Sequence, residues 1–441
     1  MRVQLIDFIR RPAVVAGVSV LILRGLTLSS RFLLSLLMAR MLSPDELGQY
    51  GLITAVLAFA LLALGLEFYS YTLREMVPAS PARQARIIAD QVALGAATFL
   101  VVGLLSLLAV VAGLFPARLA PWFLLILATE HISLEATRIL IITSRPVRAY
   151  IGVFLRGGIW VYAIAVLMFI IPSTRSLETV LVWWAAGGAL SILFAAFSLR
   201  GLPWHELRGK RPDWGWIYAG LMAARPFMLT AGGALTISYV DRFMIDGFVG
   251  RGTLGIYTFY STIAIGMLSL GSSVSQQFLP KIIAAFASGM EAFRKVVRTF
   301  FWSLFAVTGT MVVLAALLIS PMLAALHLTQ YAQSAGVFFL MLPGILIRIL
   351  ADVPSYALYA ARADGKLLLC NLGSAIVSIV LNIVLIPALG IYGAALSSCG
   401  AGAVLLLALS FFAARRMRDD RAGPGATTSV GLPTDTDMLY P

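Results

Sequence analysis

The stretch MLSPDELGQYGLITAVLAFALLALGLEF, residues 41–68, decides how the chain is read. From Leu47 it runs about twenty residues to Glu67 without a charge, enough to cross a bilayer as a helix. Its L-G-x-Y start returns as LGIY at 254–257 and again at 389–392, each time ahead of another apolar run.

Composition extends that reading to the whole chain. Of 441 residues, 60% are hydrophobic and 12% charged, with mean hydropathy +0.93. A soluble core could not hide so much apolar surface, nor could so few polar residues coat it. The sequence reads as an all-α polytopic membrane protein. Cys370 and Cys399 lie in apolar runs and read as small packing residues rather than a disulfide.

Apolar runs bounded by charges, Pro or Gly predict twelve helices, at 13–39, 47–69, 87–115, 120–144, 149–171, 177–199, 216–240, 254–280, 299–321, 334–361, 367–388 and 391–414. Arg2, Arg10 and Arg11 before the first run imitate a signal peptide, but a run reaching Ala39 is too long for one. With the termini and alternate loops on one side, that side holds 22 of the 33 Lys and Arg. The opposite loops hold five: Arg40, Arg118, Arg175, Arg242 and Arg251. This bias predicts both termini in the cytoplasm and accounts for the net charge of +13 without any nucleic-acid partner.

The three L-G-x-Y phrases fall at the starts of the second, eighth and twelfth helices, all running the same way. LGQYGLITAVLAFALLALG and LGIYTFYSTIAIGMLSLG both end on a second L-G, and SRF (30–32) precedes the first as DRF (241–243) precedes the second. An internal duplication is expected: a lobe at 1–199 with helices 1–6, a linker at 200–215, a lobe at 216–414 with helices 7–12, and a disordered tail at 415–441. In each phrase Gly would permit a close helix approach and Tyr would anchor at the membrane interface.

Three segments in order, MLSPDELGQYGLITAVLAFALLALGLEF, DRFMIDGFVGRGTLGIY and NIVLIPALGIYGAALSS, resemble the Wzx-type oligosaccharide-lipid flippases of the MATE-like exporter superfamily. The resemblance covers about residues 13–414. It implies two six-helix lobes around a central cavity, alternating access, and transfer of polyprenyl-diphosphate-linked oligosaccharides across the bacterial inner membrane. Coupling to H+ or Na+ and polysaccharide polymerase partners are further expectations, and no cofactor is expected.

Charges inside the predicted helices mark where such a cavity would lie, because an unpaired charge at mid-bilayer costs about 2.5–3.5 kcal/mol on insertion scales. Glu135 with Arg138 and Arg348 with Asp352 are spaced for local ion pairs. Arg24 and Arg31 share a face of the first helix, roughly 10 Å apart, with no carboxylate in that helix. Arg225, beside Pro226 in the seventh helix, has no acidic residue within a turn. Arg24 and Arg225 lie at depths of roughly 17 and 14 Å. Arginines so placed suit a diphosphate, since guanidinium offers paired bonds to phosphate oxygens. The bland alternative is that Glu67, Asp90 or Glu130 neutralises them. Arg156 is a further candidate for substrate, or it snorkels to the interface. Glu130, His131 and Glu135 on the fourth helix could carry coupling protons or simply pack. They complete no metal site.

There is no P-loop and no catalytic constellation, so the sequence reads as a carrier and not an enzyme. A multidrug or small-molecule antiporter on the same fold is the alternative, although six arginines against five carboxylates inside the predicted helices favour an anion. A membrane polymerase or glycosyltransferase would need an outer loop longer than the thirteen residues expected at 241–253.

Overall fold

A computed structural model describes residues 12–113, 115–207 and 209–419. Twelve long helices carry the architecture, and no strand occurs among the described residues. They are α1 (Pro12–Met41), α2 (Pro44–Gly65), α3 (Pro81–Val111), α4 (Ala120–Ile142), α5 (Pro146–Ile170) and α6 (Leu177–Leu199). The second half comprises α7 (Trp214–Phe248), α8 (Arg251–Ser288), α9 (Met290–Ala325), α10 (Ala335–Ala360), α11 (Asp364–Leu389) and α12 (Ile391–Asp419). Ten are long and apolar enough to cross a membrane. The other two are α4 and α7, which carry Glu130 and Arg242 of the site described below. This is a multi-pass membrane protein.

Local chemistry sets the boundaries. Ser43 caps α2, its hydroxyl accepting from the Glu46 amide at 3.3 Å while the Glu46 carboxylate accepts from the Ser43 amide at 3.0 Å. Pro44, Pro81 and Pro146 open their helices, where a missing N–H costs nothing. Gly250 (φ 110°) separates α7 from α8 and Gly289 (φ 122°) separates α8 from α9, both conformations that favour glycine.

Several boundaries differ from the sequence expectation. α7 continues to Phe248, so only Val249 and Gly250 separate it from α8 and the thirteen-residue outer loop does not exist. Arg242 therefore sits inside the protein at 2% exposure, not in a loop. Residues 281–298, read as a loop, extend α8 and α9 by several turns, because no Gly or Pro interrupts them between Pro280 and Gly289. The linker ends earlier than expected, since Asp213 caps α7 through a 2.9 Å bond from the Trp216 amide. Residues 415–419 continue α12, and the remainder of the expected tail, 420–441, lies outside the described residues.

Within the first half, α1 packs on α5 and α4 on α6; within the second, α11 packs on both α7 and α12, and α10 on α12. The halves meet mainly where α2 lies along α8, with α7 against α2 and α1 against α8. The seam is formed by the recurring phrase itself. A Cβ on Gly255 would overlap the Pro44 carbonyl oxygen, one on Gly48 would overlap the Arg251 carbonyl oxygen, and one on Gly51 would overlap the Thr258 hydroxyl. The close approach expected of these glycines is thus present. Two of the three tyrosines behave differently from the expected interface anchors: Tyr257 is 2% exposed and donates to Asp241, and Tyr50 packs 5.9 Å from Trp184, whereas Tyr392 is 38% exposed. An interior carboxylate holds Tyr257 inward and a ring holds Tyr50.

Candidate functional site: a cationic cavity between the halves

Two cavities of about 580 and 410 Å³ meet at Arg31, Tyr239 and Ile265. The larger lies among α1, α2, α4–α8, with Tyr50, Trp160 and Trp184 in its walls. The smaller lies among α7, α8 and α10–α12 and is rich in polar groups, including Arg348, Asp352 and Asn371. Together they present four arginines (Arg31, Arg156, Arg242, Arg348) and two carboxylates (Glu130, Asp352). The space is positive on balance.

Arg31 is exposed to this space and makes no ion pair among the described residues. Arg242 comes from the facing half. It donates to the Thr54 hydroxyl at 3.1 Å, across the seam, and to the Ser261 hydroxyl at 3.2 Å. Its guanidinium stacks 4.6 Å from the Tyr239 ring, and its Nε has no hydrogen-bond partner. Neutral hydroxyls and a ring orient this charge. The neighbouring Asp241, 4% exposed, accepts from Tyr257 and keeps its other oxygen unpartnered.

Arg156 is delivered by an irregular element. Residues Leu155–Ile159 wind as a π-turn within α5, and the Gly157 carbonyl freed there accepts from Ser30 of α1 at 3.0 Å. The guanidinium faces Glu130 at 3.5 Å, so it does not snorkel outward; Glu130 also accepts from Trp184 at 2.8 Å. Arg24 and Arg225 do not join this cluster. The Arg24 guanidinium bonds the Tyr150 hydroxyl and lies 4.5 Å from its ring, and Arg225 is exposed on α7 outside the cavity lining.

Among the described residues, none of the carboxylates expected as neutralisers forms an ion pair with Arg24, Arg31 or Arg225. Asp90 pairs with Arg86 at 3.2 Å and accepts from the Asp213 amide at 3.0 Å, while Glu67 sits in the bend after α2 with φ 52°. Glu130, His131 and Glu135 divide between two faces of α4. Glu130 looks into the cavity, whereas His131 abuts Gly95 of α3 and Glu135 takes a hydrogen bond from Gln91 and pairs with Arg138 at 2.7 Å. The second local pair foreseen from spacing does not form: Arg348 and Asp352 lie on either side of a break in α10 at Ala351, and both face the smaller cavity. Among the described residues no cluster of His, Cys, Asp and Glu could hold a metal ion. Cys370 and Cys399 are free thiols.

Arg242 is the cavity-lining residue that span prediction missed. A signal was present in the sequence, since DRF precedes the second L-G-x-Y phrase as SRF, with Arg31, precedes the first.

The structure is similar to the inward-facing conformation of a multidrug resistance MATE family transporter, with TM-score 0.70 and 14% identity over 90% of this chain and 96% of that one. It is equally similar to lipid II flippase MurJ in an inward closed conformation, with TM-score 0.69 and 15% identity over 92% and 89%. Against an outward-facing MATE family transporter the TM-score is 0.58, with 14% identity over 92% and 96%. No family model matches the sequence, and no curated protein matches it.

Proposed function

We propose that this protein is an alternating-access flippase that moves polyprenyl-diphosphate-linked oligosaccharides across the bacterial inner membrane for surface polysaccharide synthesis. The observation that carries the reading is the convergence of Arg31 and Arg242, one from each half, on a single cavity without a neutralising carboxylate for Arg31. Two guanidinium forks facing one space suit the two phosphates of the carrier, while the lipid tail stays in the bilayer. Arg156, held by Glu130, supplies a third cation when that pair opens. In this reading both termini are cytoplasmic, the halves are two six-helix lobes, and H+ or Na+ drives the cycle.

The second reading is a MATE-like small-molecule antiporter, favoured by Glu130 among Tyr50, Trp160 and Trp184, a wall suited to an organic cation. One assay separates the two. The full chain is reconstituted in vesicles and offered either a fluorescent polyprenyl-diphosphate sugar or a fluorescent organic cation. Transfer of the lipid, lost in Arg31→Ala and partly kept in Arg31→Lys, is the expected result. Movement of the cation alone, lost in Glu130→Gln and untouched by Arg31→Ala, would replace the flippase reading with the antiporter.

A further inference from the structure

A third cavity, about 720 Å³, lies away from the transport site where α10 ends, α11 begins and α12 ends. Its lining includes Arg362, Lys366, Arg415 and Arg416 with one carboxylate, Asp364. Helix direction puts it at the same end of the molecule as the basic linker between α6 and α7. We propose that this pocket binds the headgroup phosphate of an anionic phospholipid, as a site separate from the transported cargo.

Helix electrostatics explain only half of the cluster. Arg415 and Arg416 stand at the C-terminus of α12, where the macrodipole favours cations. Arg362 and Lys366 flank the N-terminus of α11, where the same dipole disfavours them. Arg362 also holds the left-handed region (φ 54°), which glycine or asparagine would occupy more cheaply. Neither Arg362 nor Arg415 forms an ion pair among the described residues, and Lys366 faces the Phe412 ring at 5.0 Å. A bound phosphate would offset this crowding of positive charge against a positive helix end.

The adjoining surface favours a lipid over a soluble anion. Leu369 on α11 is 56% exposed, and Leu407 and Phe411 on α12 are 69% and 61% exposed. These apolar side chains lead from the pocket along the membrane-crossing faces, where acyl chains would lie. Basic pockets between membrane helices recognise lipid headgroups in this way.

The test uses the full chain in phosphatidylcholine nanodiscs with rising phosphatidylglycerol. Lipid retained by the protein is read by native mass spectrometry, and stability by the thermal midpoint. Phosphatidylglycerol is expected to be retained selectively and to raise the midpoint. Arg362→Gln and Lys366→Gln should each weaken retention about fivefold, while Arg294→Gln, at the same end but outside the pocket, should not. Should the first two fail to accumulate, Arg415→Gln at the exposed end of α12 is read in the same way. Undiminished retention by the pocket variants would overturn the proposal. So would an equal rise in midpoint from inorganic phosphate alone, which would make this a soluble-anion site.

Discussion

Arg31 and Arg242 come from different halves and line one cavity but differ in burial, and that difference separates binding from folding. Arg31 is exposed to the cavity, so Arg31→Ala should leave membrane abundance normal while weakening phosphate binding by about 1.5–3 kcal/mol, roughly ten- to hundredfold, in a ligand titration. Arg242 is buried beside Asp241, so Arg242→Ala should lower abundance as well, because a buried charge losing a compensating neighbour is strongly destabilising. Adding Asp241→Asn should restore abundance but not binding; binding that returned with abundance would make Arg242 a purely structural group. Part of this site was legible in the sequence. Arg31, Arg156 and Glu130 stand out as charges within apolar runs, and they do line the cavity. Arg24 stands out equally but faces Tyr150, a partner from another helix that no spacing rule reveals. Seven residues also fall about 20° short of two turns, so a shared face on paper drifts along a real helix.

At the scale of elements, hydropathy located the helices well because crossing a bilayer demands length and apolarity together. It failed where a helix outlasts the apolar run, as at Asp241 and Arg242 in α7, since the backbone continues through polar residues that tertiary partners satisfy. The π-turn of α5 was equally hidden, because its Gly157–Gly158 pair permits the winding without announcing it. A further tertiary device joins the short helix Tyr69–Met76 to the starts of α3 and α7. Glu75 accepts from Trp216 at 3.1 Å and from Arg83 at 3.2 Å. Burial alone would raise its pKa, but hydrogen bonds from Trp216, Arg83 and Tyr71 outweigh that and hold it below the ordinary carboxylate value. A depressed folded pKa means that its stabilisation is complete above the unfolded value, about 4.3, and is lost as pH falls through the folded one. Acidification through that range should change Trp216 emission, measured against a Trp216→Phe reference. Glu75→Gln should flatten the transition, and an unaltered transition would remove Glu75 from the clasp.

Across the whole molecule, the recurring L-G-x-Y phrase led to the expectation of an internal duplication, but did not reveal that its first two copies lie at a contact between the halves. Sequence shows that a glycine permits close approach; only the assembled structure shows which backbone approaches it. At the end of the molecule opposite the α6–α7 linker, α2 and α8 close carbonyl against glycine. Gly255→Ala introduces a methyl where the Pro44 carbonyl stands, so it should shift the population toward a form open at that end. Spin labels at Ser43→Cys and Thr253→Cys should report a longer distance in the Gly255→Ala background; an unchanged distribution would show that the seam does not govern closure. Backbone packed on backbone also leaves no width for a file of water. The seam is therefore the molecule's electrical insulation. A membrane that stores energy as an ion gradient would be discharged by a conducting thread through any protein that spans it, and the close contacts at Gly48 and Gly255 leave little room for one.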